Sequence, residues 1–189
     1  MSQLLLGMLL FFGAHCVSIV APGFRDRMAG KSELGWKALY SIVSLLGLVM
    51  MVRGYGELRM TPQLLYVPPA WLRHVAAILL LPVFVFFLAP YFPGRIKTAL
   101  KHPQLVAVKL WALGHLLANG MLADVILFGS FLAWAVAARI SAKRRPARPL
   151  PGAPESRAND IIVTVLGLAV TAVMVLWLHA RLFGVKPFA

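Results

Sequence analysis

Long apolar blocks alternate with short polar stretches along the whole chain. The blocks cover residues 4–21, 36–52, 71–88, 105–119, 121–138 and 161–183. A helix needs about 20 apolar residues to cross the hydrocarbon core of a bilayer, and most of the blocks approach that length. The fourth block is the shortest, and Lys109, His115 and Asn119 interrupt its apolar run. The pattern predicts an all-α, polytopic membrane helix bundle with about six transmembrane helices.

Proline and glycine mark several boundaries between these blocks. Pro93 and Gly94 follow the third block and predict its end. Pro82 falls inside that block, where its missing backbone donor and its ring predict a kink. The longest hydrophilic stretch, about residues 142–159, is basic and rich in proline, which favours a flexible connection on the cytoplasmic side. We therefore treat residues 1–189 as one membrane domain.

Composition and charge agree with the membrane interpretation. The chain is 60% apolar and 13% charged, with a mean hydropathy of +0.81, whereas soluble domains contain about 25% charged residues. The net charge of +13 raises the question of a nucleic-acid partner. However, 14 of the 19 basic residues fall on one side of the predicted topology. This asymmetry predicts that both termini lie outside the cytoplasm, and it assigns the charge to the bilayer rather than to nucleic acid.

Polar side chains inside two apolar blocks are the candidates for function. His15 lies in the first block, and Trp111, His115 and Asn119 form an i, i+4, i+8 stripe in the fourth. A neutral imidazole nitrogen is a usual axial ligand of haem iron. His15 and His115 are therefore candidate ligands of a haem held between two helices. Two hydrogen-bonded core histidines are the simpler alternative.

The other polar residues receive structural assignments. His102 and Pro103 form a turn before the fourth block, and proline suits the first turn of a helix, so we expect His102 to anchor that helix and not to bind iron. Asp124 lies near a predicted helix end, from which its carboxylate can reach the headgroups. His179 is expected at the outer interface, and Cys16, the only cysteine, excludes an internal disulfide. No carboxylate pair, phosphate loop or CxxC motif favours hydrolytic or phosphoryl-transfer chemistry.

Four stretches together resemble the NnrU family of bacterial membrane proteins. They are LLLGMLLFFGAHCVSIVAPGFRDRM, KALYSIVSLLGLVMMVRGYGELR, LKHPQLVAVKLWALGHLLANG and HARLFGVKP. The resemblance covers nearly the whole chain, and KHP…LW…HLLANG is its most specific part. It implies a multi-pass protein of the inner membrane that is associated with nitrogen-oxide metabolism and with the nitrite and nitric oxide reductase system.

A relative of that family is 15-cis-zeta-carotene isomerase, an integral membrane enzyme with haem b. The resemblance implies that His15 and His115 are the two haem ligands. Asn119, one turn after His115, is our candidate partner for that imidazole or for a haem propionate. Whether the protein is an enzyme stays open: it is either an accessory of nitrogen-oxide metabolism or a haem-dependent cis-trans isomerase of a carotenoid-like polyene, a hydrophobic small molecule.

A weaker resemblance links KHPQL to the R-H-P-Y turn of isoprenylcysteine carboxyl methyltransferases. Lys101 replaces the arginine of that turn, and Gln104 replaces its tyrosine. The paired glutamates that accompany the turn are missing, because Glu155 is the only glutamate after position 120. A membrane methyltransferase is therefore the less favoured alternative.

Overall fold

The computed structural model describes residues 1–145 and 150–187. The helices in chain order are α1 Ser2–Val20, α2 Pro22–Lys31, α3 Glu33–Met60, α4 Leu72–Leu80, α5 Val83–Leu88, α6 Arg95–Leu100, α7 Pro103–Ala118, α8 Leu122–Ala142, α9 Ala158–Val173 and α10 His179–Phe183. A short 3₁₀ helix, Ala89–Tyr91, follows α5, and a π-helical segment, Met174–Leu178, joins α9 to α10. Within the described residues, the only β-type pairing is an isolated bridge between Leu64 and Met121. The predicted all-α fold is confirmed.

Five helical segments are long and apolar enough to cross a membrane. They are Ser2–Val20, Glu33–Met60, Leu72–Tyr91, Leu122–Ala142 and Ala158–Phe183. The remaining apolar helix, α7, has only 16 residues, and at 1.5 Å per residue it extends about 24 Å. The predicted bundle of about six helices therefore consists of five full-length spans and one shorter helix. The outward orientation of both termini stays a prediction.

Two boundaries lie close to where the sequence predicts them. The third span is interrupted between α4 and α5, where Pro82 precedes the first residue of α5. α8 ends at Ala142 and α9 begins at Ala158, which brackets the predicted hydrophilic connection. Residues 146–149 of this connection lie outside the described part.

Glycines allow α1 and α3 to pack closely as an antiparallel pair. A Cβ atom added to Gly47 would lie 2.7 Å from the backbone nitrogen of Phe11, and one added to Gly54 would overlap the backbone of Leu4. Small residues at such crossings let two membrane helices approach without a gap. Leu4 and Met51 become buried at this contact. The close approach fixes the position of α1, which carries His15.

The helices are packed side by side in the order α3, α1, α8, α7, α4–α5 and α9. α7 lies near the middle of this order because it packs against α4, α5 and α8. The outer faces of α3 and α9 expose large apolar side chains such as Ile42 and Ile161, as expected for surfaces that face lipid. The inner junction of α1, α8 and α7 contains the aromatic residues described next.

Candidate functional site

An aromatic cluster at the junction of α1, α8 and α7 includes both predicted haem ligands. His15 stacks on Phe11 with 4.0 Å between ring centroids, and Phe11 lies 5.4 Å from Phe131 of α8. Phe131 lies 5.2 Å from Trp111 of α7, and Trp111 lies 5.2 Å from His115. A continuous series of ring contacts therefore joins His15 to His115. The two histidines, which are 100 positions apart in the sequence, belong to one site.

Each of these histidines follows an aromatic residue by one helical turn. The Nδ1 atom of His15 is 2.7 Å from the carbonyl oxygen of Phe11, and that of His115 is 2.8 Å from the carbonyl oxygen of Trp111. A carbonyl oxygen only accepts hydrogen bonds, so Nδ1 carries the hydrogen in both rings. The lone pair of each Nε2 is then the one available to a metal, and a backbone partner at Nδ1 is a usual feature of metal-ligating histidines.

The two imidazoles are not in contact with each other. Phe11, Phe131 and Trp111 form the series of ring contacts that joins them, and His115 also stacks on Phe128 with a centroid distance of 4.5 Å. The donor set, two imidazole nitrogens in aromatic surroundings, fits haem iron.

A further polar atom lies beside His15. The indole of Trp134 meets the imidazole edge to face, with 5.5 Å between ring centroids. The Nε1 atom of Trp134 is buried and has no hydrogen-bond partner within the described part of the chain. Buried donors of this kind usually find a partner. Trp134 therefore carries an unused hydrogen-bond donor within the aromatic cluster.

Asn119 is the residue at which α7 ends. Its side-chain Nδ2 atom donates to the backbone carbonyl oxygen of His115 at 2.9 Å. Its backbone carbonyl oxygen accepts from the hydroxyl of Tyr66 at 2.7 Å. The imidazole of His115 bonds instead to Trp111. Asn119 thus supports the backbone turn after His115 in this structure. Its role beside the imidazole or a propionate stays a prediction.

Tyr66 belongs to the connection between α3 and α4, which covers the end of α7. The hydroxyl of Tyr66 also donates to the carbonyl oxygen of Leu116, and the backbone nitrogen of Leu65 donates to Gly120 at 2.8 Å. A Cβ atom on Gly120 would overlap the carbonyl oxygen of Tyr66, so glycine permits this approach. Partial burial raises the pKa of Tyr66, which keeps its phenol protonated as a donor.

Asp124 differs from its sequence-based assignment. It lies near the start of α8, as expected, but it is fully buried and does not reach the headgroups. Its carboxylate accepts the hydroxyl of Tyr55 at 2.5 Å and the backbone nitrogen of Met121 at 2.9 Å. The first turn of α8 and a neighbouring helix thus hold the charge inside the bundle. Asp124 also lies within electrostatic range of His115.

The KHP turn introduces α7. His102 is the residue before the helix, and Pro103 is its first residue, as the sequence predicts. Burial lowers the pKa of His102, and the charges of Arg139, Arg145 and Lys101 lower it further. His102 is thus surrounded by cations and lies at the opposite end of α7 from Asn119.

His179 lies within electrostatic range of His115, as Asp124 does. The Nδ1 atom of His179 is 2.7 Å from the carbonyl oxygen of Val185 near the C-terminus, and Cys16 is a partly buried free thiol on α1. Within the described residues, no group of three or more His, Cys, Asp or Glu side chains could hold a metal ion. A haem with two histidine ligands does not need such a group.

Comparison with known proteins matches the chain to a protein family. The family model described as NnrU protein matches residues 3–187, which is nearly the whole chain. The matched part includes His15, His102, His115 and Asn119. No curated protein and no solved structure matches the chain.

Proposed function

Because the chain belongs to the NnrU family, we propose that it is a multi-pass inner-membrane protein that binds haem b and serves nitrogen-oxide metabolism. Its partners would be the nitrite and nitric oxide reductase system. The observation that supports haem binding is the pair His15 and His115, each with Nδ1 bonded to a carbonyl oxygen one turn earlier. This arrangement leaves the lone pair of Nε2 available on each ring, as haem iron with two axial histidines requires.

A haem b with two histidine ligands transfers single electrons. The protein's contribution is to orient the imidazoles and to keep the site dry. The carbonyl oxygens of Phe11 and Trp111 fix the rotation of the two rings. The surrounding aromatic side chains, including Phe131, exclude water and lower the local dielectric constant. An electron-transfer or accessory role fits this arrangement, because no acid–base pair of the cluster contacts either imidazole.

The second candidate is a haem-dependent isomerase of a carotenoid-like polyene. Two observations favour it. The aromatic cluster is apolar, and the outer helices expose large apolar side chains to lipid, from which a hydrophobic substrate would arrive. Isomerisation of a polyene needs an apolar site and no carboxylate pair. Nothing in the cluster favours a methyltransferase.

Absorption spectroscopy tests haem binding directly. We expect protein that is produced with ample haem and purified in detergent to show a Soret band and sharp reduced α and β bands. His15→Ala and His115→Ala should each remove or convert the low-spin signal. His74→Ala, at the start of α4 and outside the cluster, is the matched control and should keep it. All variants are compared for folding by size-exclusion chromatography.

Two outcomes would end the haem proposal. One is wild-type protein that carries no haem although haem was in excess. The other is a wild-type spectrum in both the His15→Ala and His115→Ala variants. If haem is present, conversion of an added cis polyene by the reconstituted protein would favour the isomerase, and retention of the polyene unchanged would favour the accessory role.

A further inference from the structure

One end of α8 and the adjacent KHP turn carry a group of basic side chains outside the aromatic cluster. We call this group the basic surface, and it consists of Lys101, His102, Arg139, Lys143 and Arg144. Lys101 and His102 form the turn before α7, and α8, which carries Arg139, packs against α7. The charges of Lys101 and Arg139 both act on His102. Lys143 lies one turn beyond Arg139. The predicted topology places this surface on the cytoplasmic side of the membrane.

Neither ion pair of the described residues includes a side chain of the basic surface. Within the described residues, the ion pairs are Arg25–Asp26 and Glu33–Lys37, which lie on α2 and α3. Arg145, the next residue of the chain, donates to the carbonyl oxygen of Ser18 at 2.6 Å and is not counted in the surface. Like charges held close together repel one another. A bound anion would relieve that repulsion.

The basic surface continues directly from an apolar stripe on α8. Val136 is 44% exposed and Ile140 is 51% exposed, and they share one face of the helix. Lys143 is the C-cap residue of α8 and Arg144 follows it in a turn, so both exposed cations lie directly beyond the end of this stripe. An anionic phospholipid complements this arrangement, because its apolar acyl chain is followed by a negatively charged headgroup. The stripe therefore favours a lipid over a soluble anion as the partner.

The backbone at Lys101 is held in an uncommon conformation. Lys101 has φ +60° and ψ −43°, and the backbone nitrogen of His102 donates to the carbonyl oxygen of Leu100 at 2.7 Å. This is a γ-turn with positive φ, which is strained for a residue with a side chain. The turn forms the corner between α6 and α7, with Lys101 as the C-cap residue of α6 and His102 as the residue before α7.

We propose that the basic surface is a binding site for the phosphate of an anionic phospholipid, whose acyl chain lies along Val136 and Ile140. Lys143 and Arg144 contact the headgroup at the edge of the bilayer, while Lys101 and Arg139 lie deeper in the site beside His102. The site is independent of haem, because none of its residues belongs to the aromatic cluster.

Lipid titration followed by native mass spectrometry tests this site. Phosphatidylglycerol and phosphatidylcholine are added separately to the protein in a neutral detergent. Each basic residue near an anionic lipid surface contributes about a five-fold preference. Lys143→Gln/Arg144→Gln should therefore weaken phosphatidylglycerol binding by about 25-fold and leave phosphatidylcholine unchanged. Arg27→Gln/Lys31→Gln, which removes two exposed cations from α2, is the matched control and should bind as wild type.

A second pair and a second readout keep the test independent of folding effects. Lys101→Gln/Arg139→Gln should also weaken the binding of phosphatidylglycerol. In wild-type protein, the pKa of His102 measured by NMR should rise when phosphatidylglycerol binds, and this rise should shrink in that variant. Equal weakening in the α2 control, or equal affinity for both lipids, would overturn the proposal. Binding of soluble glycerol phosphate as tightly as phosphatidylglycerol would instead identify a soluble anion as the partner.

Discussion

The buried carboxylate of Asp124 should make a large contribution to the stability of the bundle. Asp124→Ala removes the acceptor for the Tyr55 hydroxyl and for the backbone nitrogen of Met121. A buried donor left without a partner costs roughly 1–3 kcal/mol. Tyr55 is only half-buried, so the cost of leaving its hydroxyl without an acceptor falls at the lower end of that range. We expect a total loss of about 3 kcal/mol in the free energy of unfolding.

Smaller changes at the same pair should give graded effects. Tyr55→Phe leaves one carboxylate oxygen of Asp124 without its donor and should cost about 2 kcal/mol. Asp124→Asn should cost only about 1 kcal/mol, because the amide can accept from Met121 and donate to Tyr55. Tyr91→Phe is the matched control: the hydroxyl of Tyr91 makes only a long contact of 3.4 Å with Gln104, and its loss should be nearly neutral.

The measurement is a double-mutant cycle in mixed micelles. Helix content is followed by circular dichroism as the fraction of sodium dodecyl sulfate rises, for wild type, Tyr55→Phe, Asp124→Ala and the double variant. Residues that share a hydrogen bond usually show a coupling of about 0.5–3 kcal/mol. Strictly additive losses, or an Asp124→Ala variant within about 0.5 kcal/mol of wild type, would refute the inference that this contact holds α3 to α8.

Three further predictions address packing, topology and pH. Gly54→Ala should destabilise the protein by about 1–3 kcal/mol because its Cβ atom meets the α1 backbone, whereas Gly56→Ala, which meets open space, should be neutral in the same unfolding assay. A periplasm-active reporter fused after Ala189 should be active and one fused near Pro151 silent, and the reverse would overturn the predicted orientation. The pKa of His102 is lower in the folded protein than in the unfolded chain, so the folded protein binds this proton more weakly. The free energy of unfolding should therefore fall as the pH decreases below about 6.5. His102→Gln should reduce this fall and leave any haem spectrum intact, and an unchanged pH profile would contradict the assignment.

Local features of the fold were predictable from the sequence. The apolar blocks gave the helices because a membrane span requires a continuous apolar run. Pro82 gave the break in the third span because proline removes a backbone donor. His102 and Pro103 predicted the start of α7, because the first turn of a helix does not need the backbone donor that proline lacks. Each of these rests on interactions within a few residues.

Contacts between distant segments were not predictable in the same way. Tyr55 and Asp124 are 69 residues apart, and a single acidic residue near a helix end fits either the headgroup region or a buried pair. The γ-turn at Lys101 carries no glycine or asparagine that would signal a positive φ. The backbone carbonyl oxygen of Asn119 accepts from Tyr66, which comes from another connection. These features follow from which helices become neighbours, and the order of apolar blocks does not determine that.

The aromatic cluster explains how a membrane protein can keep two imidazoles in an apolar interior. Each ring satisfies its Nδ1 donor with a carbonyl oxygen of its own helix, and each covers its faces with aromatic side chains. Aromatic pairs of this kind contribute about 0.5–1.5 kcal/mol each, so the ring contacts help to hold α1, α8 and α7 together. On the haem proposal, the same Nδ1 contacts would fix the orientation in which the two Nε2 atoms bind iron, so a change at either imidazole should affect both the packing of the junction and the haem spectrum.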